Sequence, residues 1–142
     1  MNEGIQISNT GGVDVMQLVD LPLKNEGPGT NEVRIKHTII GVNYIDTYHR
    51  SGLYPVPLPA VLGLEAVGVI SAVGLGVNSF KVGDRVSSVF WQDWNSEQST
   101  RMSSTGCEAA GVLSEYAVLP QTAVLKIPDY MSYEEAATLP CA

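Results

Sequence analysis

The chain has 142 residues, 44% of them hydrophobic, which is enough for one compact domain with its own core and too short for two domains of ordinary size. Eight Lys and Arg oppose 15 Asp and Glu, and the net charge of -7 would repel the phosphates of a nucleic acid. No apolar run approaches the roughly 20 residues that span a bilayer, and two cysteines are too few for a disulfide framework, so we expect a cytoplasmic protein without nucleic-acid or membrane partners.

The N-terminal part of the chain predicts antiparallel strands. Apolar and polar residues alternate over 5–7, and the glycine pair at 11–12 turns the chain toward the apolar positions of 13–19. This pattern is typical of a β-hairpin. From Glu32 to Gly41 the alternation has a period near two, which predicts a half-buried strand.

The middle of the chain predicts one short helix between strands. The β alternation stops over 43–50, and Ser51-Gly52 is a typical helix end, so we expect a helix or helical turn there. Residues 61–73, interrupted by glycines, indicate a buried strand. Further strands are predicted at 112–118 and 124–127. Many short strands at this spacing predict a mainly β domain, a barrel or a sandwich.

Two later segments are distinct. The stretch 92–110 is rich in Gln, Asn, Ser, Thr and Glu without an apolar period, so we expect a long, mobile surface loop. Ser132 and Glu135 form a capping box, in which each side chain accepts from the other residue's backbone amide, so a helix should begin there. Because only a few residues follow it, we expect this helix to be poorly anchored.

A dense group of polar side chains follows the strand that ends at Gly41. The run 42–55 contains an amide, a carboxylate, phenols, an imidazole and a guanidinium, and it leads into a Tyr-Pro turn. Donors spaced this closely could converge on a small polar ligand. The sequence therefore predicts one wall of an active site. A nucleotide-binding motif is not part of it, because Gly74-x-Gly76 lacks the third glycine of G-x-G-x-x-G and no βαβ pattern surrounds it.

Seven short pieces, in this order and spacing, resemble the quinone reductases of the medium-chain dehydrogenase/reductase superfamily, in the zinc-free, zeta-crystallin-like branch. They are Thr10-Gly11-Gly12, residues 41–46, Gly63-Leu64-Glu65, residues 69–77, residues 80–86, Glu115-Tyr116 and Ile127-Pro128-Asp129. The resemblance implies that residues 1–142 form the GroES-like catalytic domain, a partly open β-barrel with a few short helices. It also implies a Rossmann cofactor domain outside this chain, and it allows a homo-oligomer for the full-length enzyme.

The resemblance bears directly on metal binding. Alcohol dehydrogenases of the superfamily hold a catalytic zinc, and the positions similar to its ligands are Asn43, Leu64 and Cys141 here. Such a site needs about three protein ligands and an open position, so one thiol does not suffice. The structural zinc lobe of those enzymes uses four cysteines, and only Cys107 occurs in the similar region. We therefore expect no zinc.

Roles for the polar run follow from the same resemblance. Asn43 would bond the nicotinamide-ribose end of NADPH, and Tyr48 and Tyr54 would line the pocket of nicotinamide and acceptor. The alternative for either tyrosine is packing at the barrel rim. Arg50 would pair with a cofactor phosphate or, more simply, with Asp46 four residues earlier on the helix.

Four polar residues are expected in other environments. Glu65 lies two residues after Gly63 in an apolar strand, and a buried carboxylate needs a partner. We therefore expect Glu65, like Asp46, to stand behind the site in a supporting role. His49 is expected to be solvated. His37 is expected to be a hydrogen-bonded strand histidine.

The predicted function is reduction of a small quinone or enone by hydride from NADPH, without zinc. The isolated chain should be nearly inactive, because its main cofactor domain is missing. Residues 83–142, however, look more like zinc-type alcohol dehydrogenase-like proteins, so an aldehyde reductase that works without zinc is one alternative. The other is a non-catalytic GroES-like binding module.

Overall fold

The computed structural model describes residues 1–23, 27–92, 103–104 and 111–141, with the backbone alone at 91–92 and 103–104. Two helices occur in this part of the chain, α1 (Tyr44–Ser51) and α2 (Tyr133–Ala137). The strands are β1 (Glu3–Ile7), β2 (Met16–Asp20), β3 (Glu32–Gly41), β4 (Ala60–Val61), β5 (Glu65–Val73), β6 (Arg85–Ser88), β7 (Trp91–Gln92), β8 (Ser103–Ser104), β9 (Tyr116–Pro120) and β10 (Val124–Lys126).

The strands form one large and two small antiparallel sheets. The large sheet has the order β10-β6-β5-β3-β9, and β2-β1-β4 forms the second sheet. The large sheet curls into a half-barrel, and the segment 111–115 joins the two sheets because Ile5 N donates to Leu113 O and Glu115 N donates to Glu3 O, both at 2.8 Å. This confirms the predicted mainly β, partly open barrel with a few short helices.

Both faces of β5 are covered, which explains its almost unbroken apolar sequence. On one face Ala66 and Ile70 join the main core of the barrel. On the other face Val67 packs with Ile127 and with Ala136 of α2. The prediction that α2 is poorly anchored is therefore wrong, because its buried alanines close the outer face of the sheet.

The capping box that predicted α2 is confirmed. Glu135 N donates to Ser132 Oγ at 3.1 Å, and Ser132 N donates to Glu135 Oε2 at 2.9 Å. The hairpin β1–β2 and the strand Glu32–Gly41 are confirmed as well. Residues 13–15, which were expected in the hairpin, instead form a 3-10 turn that precedes β2.

Two predicted strands have different bounds in the structure. Residues 61–73 are not one strand, because Gly63, at a φ of 96°, turns the chain between β4 and β5. The strand predicted over 112–118 begins only at Tyr116, because Ser114 N donates to Val112 O and so bends the backbone.

The loop predicted over 92–110 lies mostly outside the described residues. Its described parts pair as β7 and β8, with Trp91 opposite Ser104 and Gln92 opposite Ser103. Across the described residues, neither helix has the length and apolar character that crossing a bilayer requires.

Candidate active-site wall

The helix predicted over 43–50 is present as α1, and local chemistry fixes both of its ends. Its N-cap is Asn43, in an extended conformation, and Asp46 lies in the first turn. Its C-cap is Gly52, at a φ of 85°, whose amide donates to Tyr48 O at 3.1 Å. Only glycine adopts this left-handed conformation without strain.

The Asp46 carboxylate fastens the beginning of α1 to the barrel. Its Oδ2 accepts from Asn43 N at 2.7 Å, and its Oδ1 accepts from Gly63 N at 3.2 Å. The side chain is only 7% exposed. Burial raises the pKa of the Asp46 carboxyl, and the two amide hydrogen bonds oppose that rise.

Glu65 lies at the start of β5 and reaches two other elements. Its Oε1 accepts from Asn43 Nδ2 at 2.7 Å, and its Oε2 accepts from Cys141 N at 2.8 Å. Glu65 is 3% exposed, so these bonds lie away from water. A buried carboxylate needs such donors, and here it finds them on the helix N-cap and on the segment after α2.

Space for the Glu65 side chain comes from Gly41, its partner across the β3–β5 ladder. A Cβ atom at position 41 would lie 2.6 Å from Glu65 Cγ and closer still to its Oε1. Any larger residue at the end of β3 would therefore displace the carboxylate.

The two tyrosines lie together at the other end of α1. The rings of Tyr48 and Tyr54 meet edge to face, with centroids 5.4 Å apart. Tyr54 N donates to Tyr48 O at 3.2 Å, which folds the Tyr-Pro turn back onto the helix. Tyr54 is 50% exposed, so this pair is available to a ligand on its open side.

His49 corrects one of our expectations. The side chain is 2% exposed rather than solvated, and its ring centroid lies 6.4 Å from that of Tyr54. The reason is the rotation of α1, which turns Asp46 and His49, three residues apart, toward the barrel.

His37 is hydrogen-bonded on one side, as expected, because its Nδ1 lies 2.7 Å from Ser114 O. Its buried Nε2 has no hydrogen-bond partner among the described residues.

Arg50 does not form the predicted ion pair with Asp46. Both Asp46 oxygens are occupied instead by backbone amides, one at the helix N-cap and one at Gly63. Within the described part of the chain the buried Nε of Arg50 has no hydrogen-bond partner. An unpaired buried donor is costly, which makes this atom a candidate ligand contact.

The three positions similar to zinc ligands hold a leucine, an amide and a thiol. Leu64 is fully buried and has no donor atom, and the Asn43 amide is bonded to Glu65. Burial, together with the charges of Glu65 and Asp46, raises the pKa of the Cys141 thiol and so disfavours a thiolate. Among the described residues there is no group of three or more His, Cys, Asp or Glu that could hold a metal ion.

Sequence reasoning missed two parts of this wall. The first is the backbone amide of Cys141, which carries no side-chain signal. The second is Gly41, although a glycine ending a regular strand indicates a close approach by a neighbour. Asn43, Asp46 and Glu65 are brought into one hydrogen-bonded group. Tyr48 and Arg50 lie toward the other end of the same short helix, and Tyr54 lies in the segment that follows it.

The curled antiparallel sheet and the short helix α1 that follows β3 define a GroES-like fold. The model of the alcohol dehydrogenase GroES-like domain family matches residues 29–129, and the chain belongs to this family. The resemblance to the quinone oxidoreductases of the medium-chain superfamily is thereby confirmed for the N-terminal domain.

Three known proteins illustrate the relationship. A quinone oxidoreductase of Pseudomonas aeruginosa is 39% identical over 98% of the chain, which spans 37% of that protein's length. The structure of the Escherichia coli quinone oxidoreductase complexed with NADPH is 34% identical with a TM-score of 0.74, over 95% of this chain and 36% of that one. An NAD-dependent alcohol dehydrogenase is 32% identical with a TM-score of 0.87, over 97% of this chain and 43% of that one.

Proposed function

We propose that the chain forms the substrate-side domain of a reductase that transfers hydride from NADPH to a small quinone or enone without zinc. The observation that carries this proposal is the bond between Asn43 and Glu65, because Asn43 stands at a position similar to a zinc ligand and its amide nitrogen is engaged by a buried carboxylate instead. The similarity to quinone oxidoreductases supports the substrate class. Because the chain spans about a third of such relatives, the main dinucleotide site is proposed to lie in a separate cofactor domain.

The residues of α1 fit a nicotinamide nucleotide. Asn43, half-buried at the helix N-cap, is proposed to bond the nicotinamide ribose. The buried and unpaired Nε of Arg50 is suited to a cofactor phosphate, which would supply the acceptor that this guanidinium nitrogen lacks among the described residues. When bound, NADPH supplies the hydride. The preference for NADPH over NADH rests on the NADPH-complexed relative.

The tyrosine pair is proposed to receive the acceptor. Tyr48 and Tyr54 hold each other edge to face, so that their rings form an ordered wall beside the cofactor position. A phenol O–H at this wall can donate to the carbonyl oxygen of a quinone and stabilise the negative charge that develops there. This donor replaces the Lewis acid of a zinc enzyme.

A hybrid protein tests the proposal. Residues 1–142 would be joined to the remaining part of the Pseudomonas aeruginosa quinone oxidoreductase, and NADPH oxidation would be measured with 1,4-benzoquinone and with an aldehyde. We expect quinone reduction, and Asn43→Ala should lower kcat/KM by about five- to tenfold, as for one lost hydrogen bond to the cofactor. Asn78→Ala, in an exposed turn, is the matched control. Full activity of the Asn43 variant would reject the assignment.

The second candidate is an aldehyde reductase like the alcohol dehydrogenases, and the TM-score of 0.87 to an NAD-dependent alcohol dehydrogenase favours it. The two substrates of the hybrid protein separate the candidates, because neither candidate uses zinc. Turnover of the aldehyde in preference to 1,4-benzoquinone would replace the quinone proposal. A cytoplasmic location and a homo-oligomeric full-length enzyme remain predictions.

A further inference from the structure

The amide group of Asn43 is held in one orientation by a neighbour that can only accept hydrogen bonds. An ionised carboxylate has no proton to donate, so the amide end that faces Glu65 Oε1 at 2.7 Å must be the nitrogen. The carbonyl oxygen of Asn43 then lies on the other side of the amide group, where it faces the Asp46 backbone amide in the capping box of α1 and keeps a second lone pair for a ligand. The orientation thus follows from chemistry, although nitrogen and oxygen have almost the same shape.

Glu65 is itself held so that it cannot turn away. Its second oxygen accepts from Cys141 N at 2.8 Å, and its stem lies against Gly41 in a space that a Cβ atom would fill. Because only 3% of the Glu65 surface is exposed, water does not compete for its carboxylate. The Asn43 backbone is fixed independently, because its amide donates to Asp46 Oδ2 at 2.7 Å.

We infer that Glu65 is a positioning residue that presents the carbonyl oxygen of Asn43, as an acceptor, to a hydroxyl of the nicotinamide ribose. The inference rests on the proposed function for the identity of the ligand. A ribose hydroxyl can donate to that oxygen, whereas an amide turned the other way would present two donors instead. Glu65 therefore selects which end of the amide the nucleotide meets, without touching the nucleotide.

Exchanging the amide of Asn43 and the carboxylate of Glu65 between the two positions tests this assignment. In Glu65→Gln the new side-chain amide can donate to Asn43, so the Asn43 amide is free to flip. In the double variant Asn43→Asp with Glu65→Gln, the new amide at position 65 would be the donor and the new carboxylate at position 43 the acceptor. The second oxygen of that carboxylate would again face the ribose. Net charge is the same as in the wild type, and the bond to the amide of Cys141 can persist.

Binding would be measured on the 142-residue chain by NMR titration with reduced nicotinamide mononucleotide. We expect Glu65→Gln to weaken binding by about five- to tenfold, as for one lost hydrogen bond, and the double variant to recover to within about twofold of the wild type. Glu134→Gln, exposed on α2, is the matched control. A second ligand, a dihydronicotinamide that carries a methyl group instead of the ribose, is the control for folding. It should bind all variants equally, whereas a general loss of structure would weaken the binding of both ligands.

A second variant reaches the same carboxylate without changing it. Gly41→Ala should push Glu65 aside and reproduce the loss of ribose-dependent binding. Its control is Gly29→Ala, whose Cβ would meet the end of the flexible Glu32 side chain at 2.9 Å. If Glu65→Gln does not fold, this pair and the double variant carry the test.

The outcomes separate this inference from the proposed function. Wild-type binding by Glu65→Gln and Gly41→Ala, or a double variant no better than Glu65→Gln, would overturn the positioning role. If the wild type itself fails to bind the mononucleotide, the placement of nicotinamide is wrong. In that case the NMR signals of the Asn43 side-chain NH2 group test the positioning role without a ligand. In Glu65→Gln these signals should shift and their hydrogens should exchange faster with water. Unchanged signals would overturn the inference.

Discussion

The two ends of α1 are built differently. At the beginning, two buried carboxylates bind the backbone and side chain of Asn43, and both oxygens of Asp46 and of Glu65 have donors. At the other end, Arg50 Nε is buried without a partner among the described residues, and Tyr54 is half exposed. Both carboxylates at the beginning of α1 therefore have their donors within the domain, and the carbonyl oxygen of Asn43 is the group there that is proposed to meet a ligand. The other end keeps an unpaired donor and a half-exposed phenol among the described residues.

The largest effect is expected from removing the framework at the beginning of α1. Asp46→Ala leaves two buried amide groups, on Asn43 and Gly63, without acceptors, and we expect the free energy of unfolding to fall by about 2–4 kcal/mol. Urea denaturation measures this loss, with Asp129→Ala as an exposed control. A loss below about 1 kcal/mol would mean that the two ends of α1 do not differ as described.

Arg50→Met tests the C-terminal end of α1. Because Nε has no partner among the described residues, we expect stability to stay unchanged or to rise, while the KM for NADPH in the hybrid enzyme rises about tenfold, as for one lost charged hydrogen bond. In the control Arg34→Met, whose Nε donates to Ser71 Oγ at 3.2 Å, stability should fall by about 1 kcal/mol with the KM unchanged. The reverse pattern would make Arg50 a structural residue.

A pH titration addresses a buried group outside α1. Burial lowers the pKa of His37 below its ordinary value of 6.5, so the folded chain keeps this ring neutral while the unfolded chain takes up a proton. The contribution of His37 to the free energy of unfolding is therefore fully present above pH 6.5 and is lost as the pH falls below that value. The free energy of unfolding should fall by at most about 1.4 kcal/mol for each pH unit. His37→Asn, which can still donate to Ser114 O, should remove that slope in urea denaturation between about pH 7.5 and 5. An equal slope in the variant would assign the effect to other groups.

The smallest effect is expected at α2, which has an exposed cap instead of a buried one. Ser132→Ala should cost about 1 kcal/mol or less, because water can replace the lost acceptor for Glu135 N. Thermal unfolding of the two variants compares the stability loss of Ser132→Ala with that of Asp46→Ala. Equal losses in both variants would show that burial does not distinguish the two helix N-termini.

Sequence patterns predicted the parts of the fold that depend on neighbours in the chain. Alternation located β3, and the Ser132–Glu135 spacing located α2, because both signals are local. The single strand predicted over 61–73 was wrong because the turn at Gly63 is set by pairing of β4 with β1. The environment of His49 was wrong as well, since a short helix does not reveal which of its faces meets a barrel formed by distant strands.

The same distinction applies to the candidate site. A polar run near 43–54 was visible in the sequence, and Glu65 was expected to need a partner. That its partners would be Asn43 and the backbone of Cys141, 22 and 76 residues away, depends on tertiary contacts alone. The i,i+4 spacing of Asp46 and Arg50 predicted an ion pair, but the carboxylate instead binds backbone amides.

The hydrogen bond between Glu65 and Cys141 N has a mechanical consequence. The segment after α2 and the beginning of α1 belong to different parts of the chain, yet one side chain connects them, with 2.7 Å and 2.8 Å bonds at its two oxygens. A displacement of that segment pulls on Glu65 and thereby on the amide of Asn43. The Glu65 carboxylate is thus a direct hydrogen-bonded link between the segment at residue 141 and the candidate active-site wall.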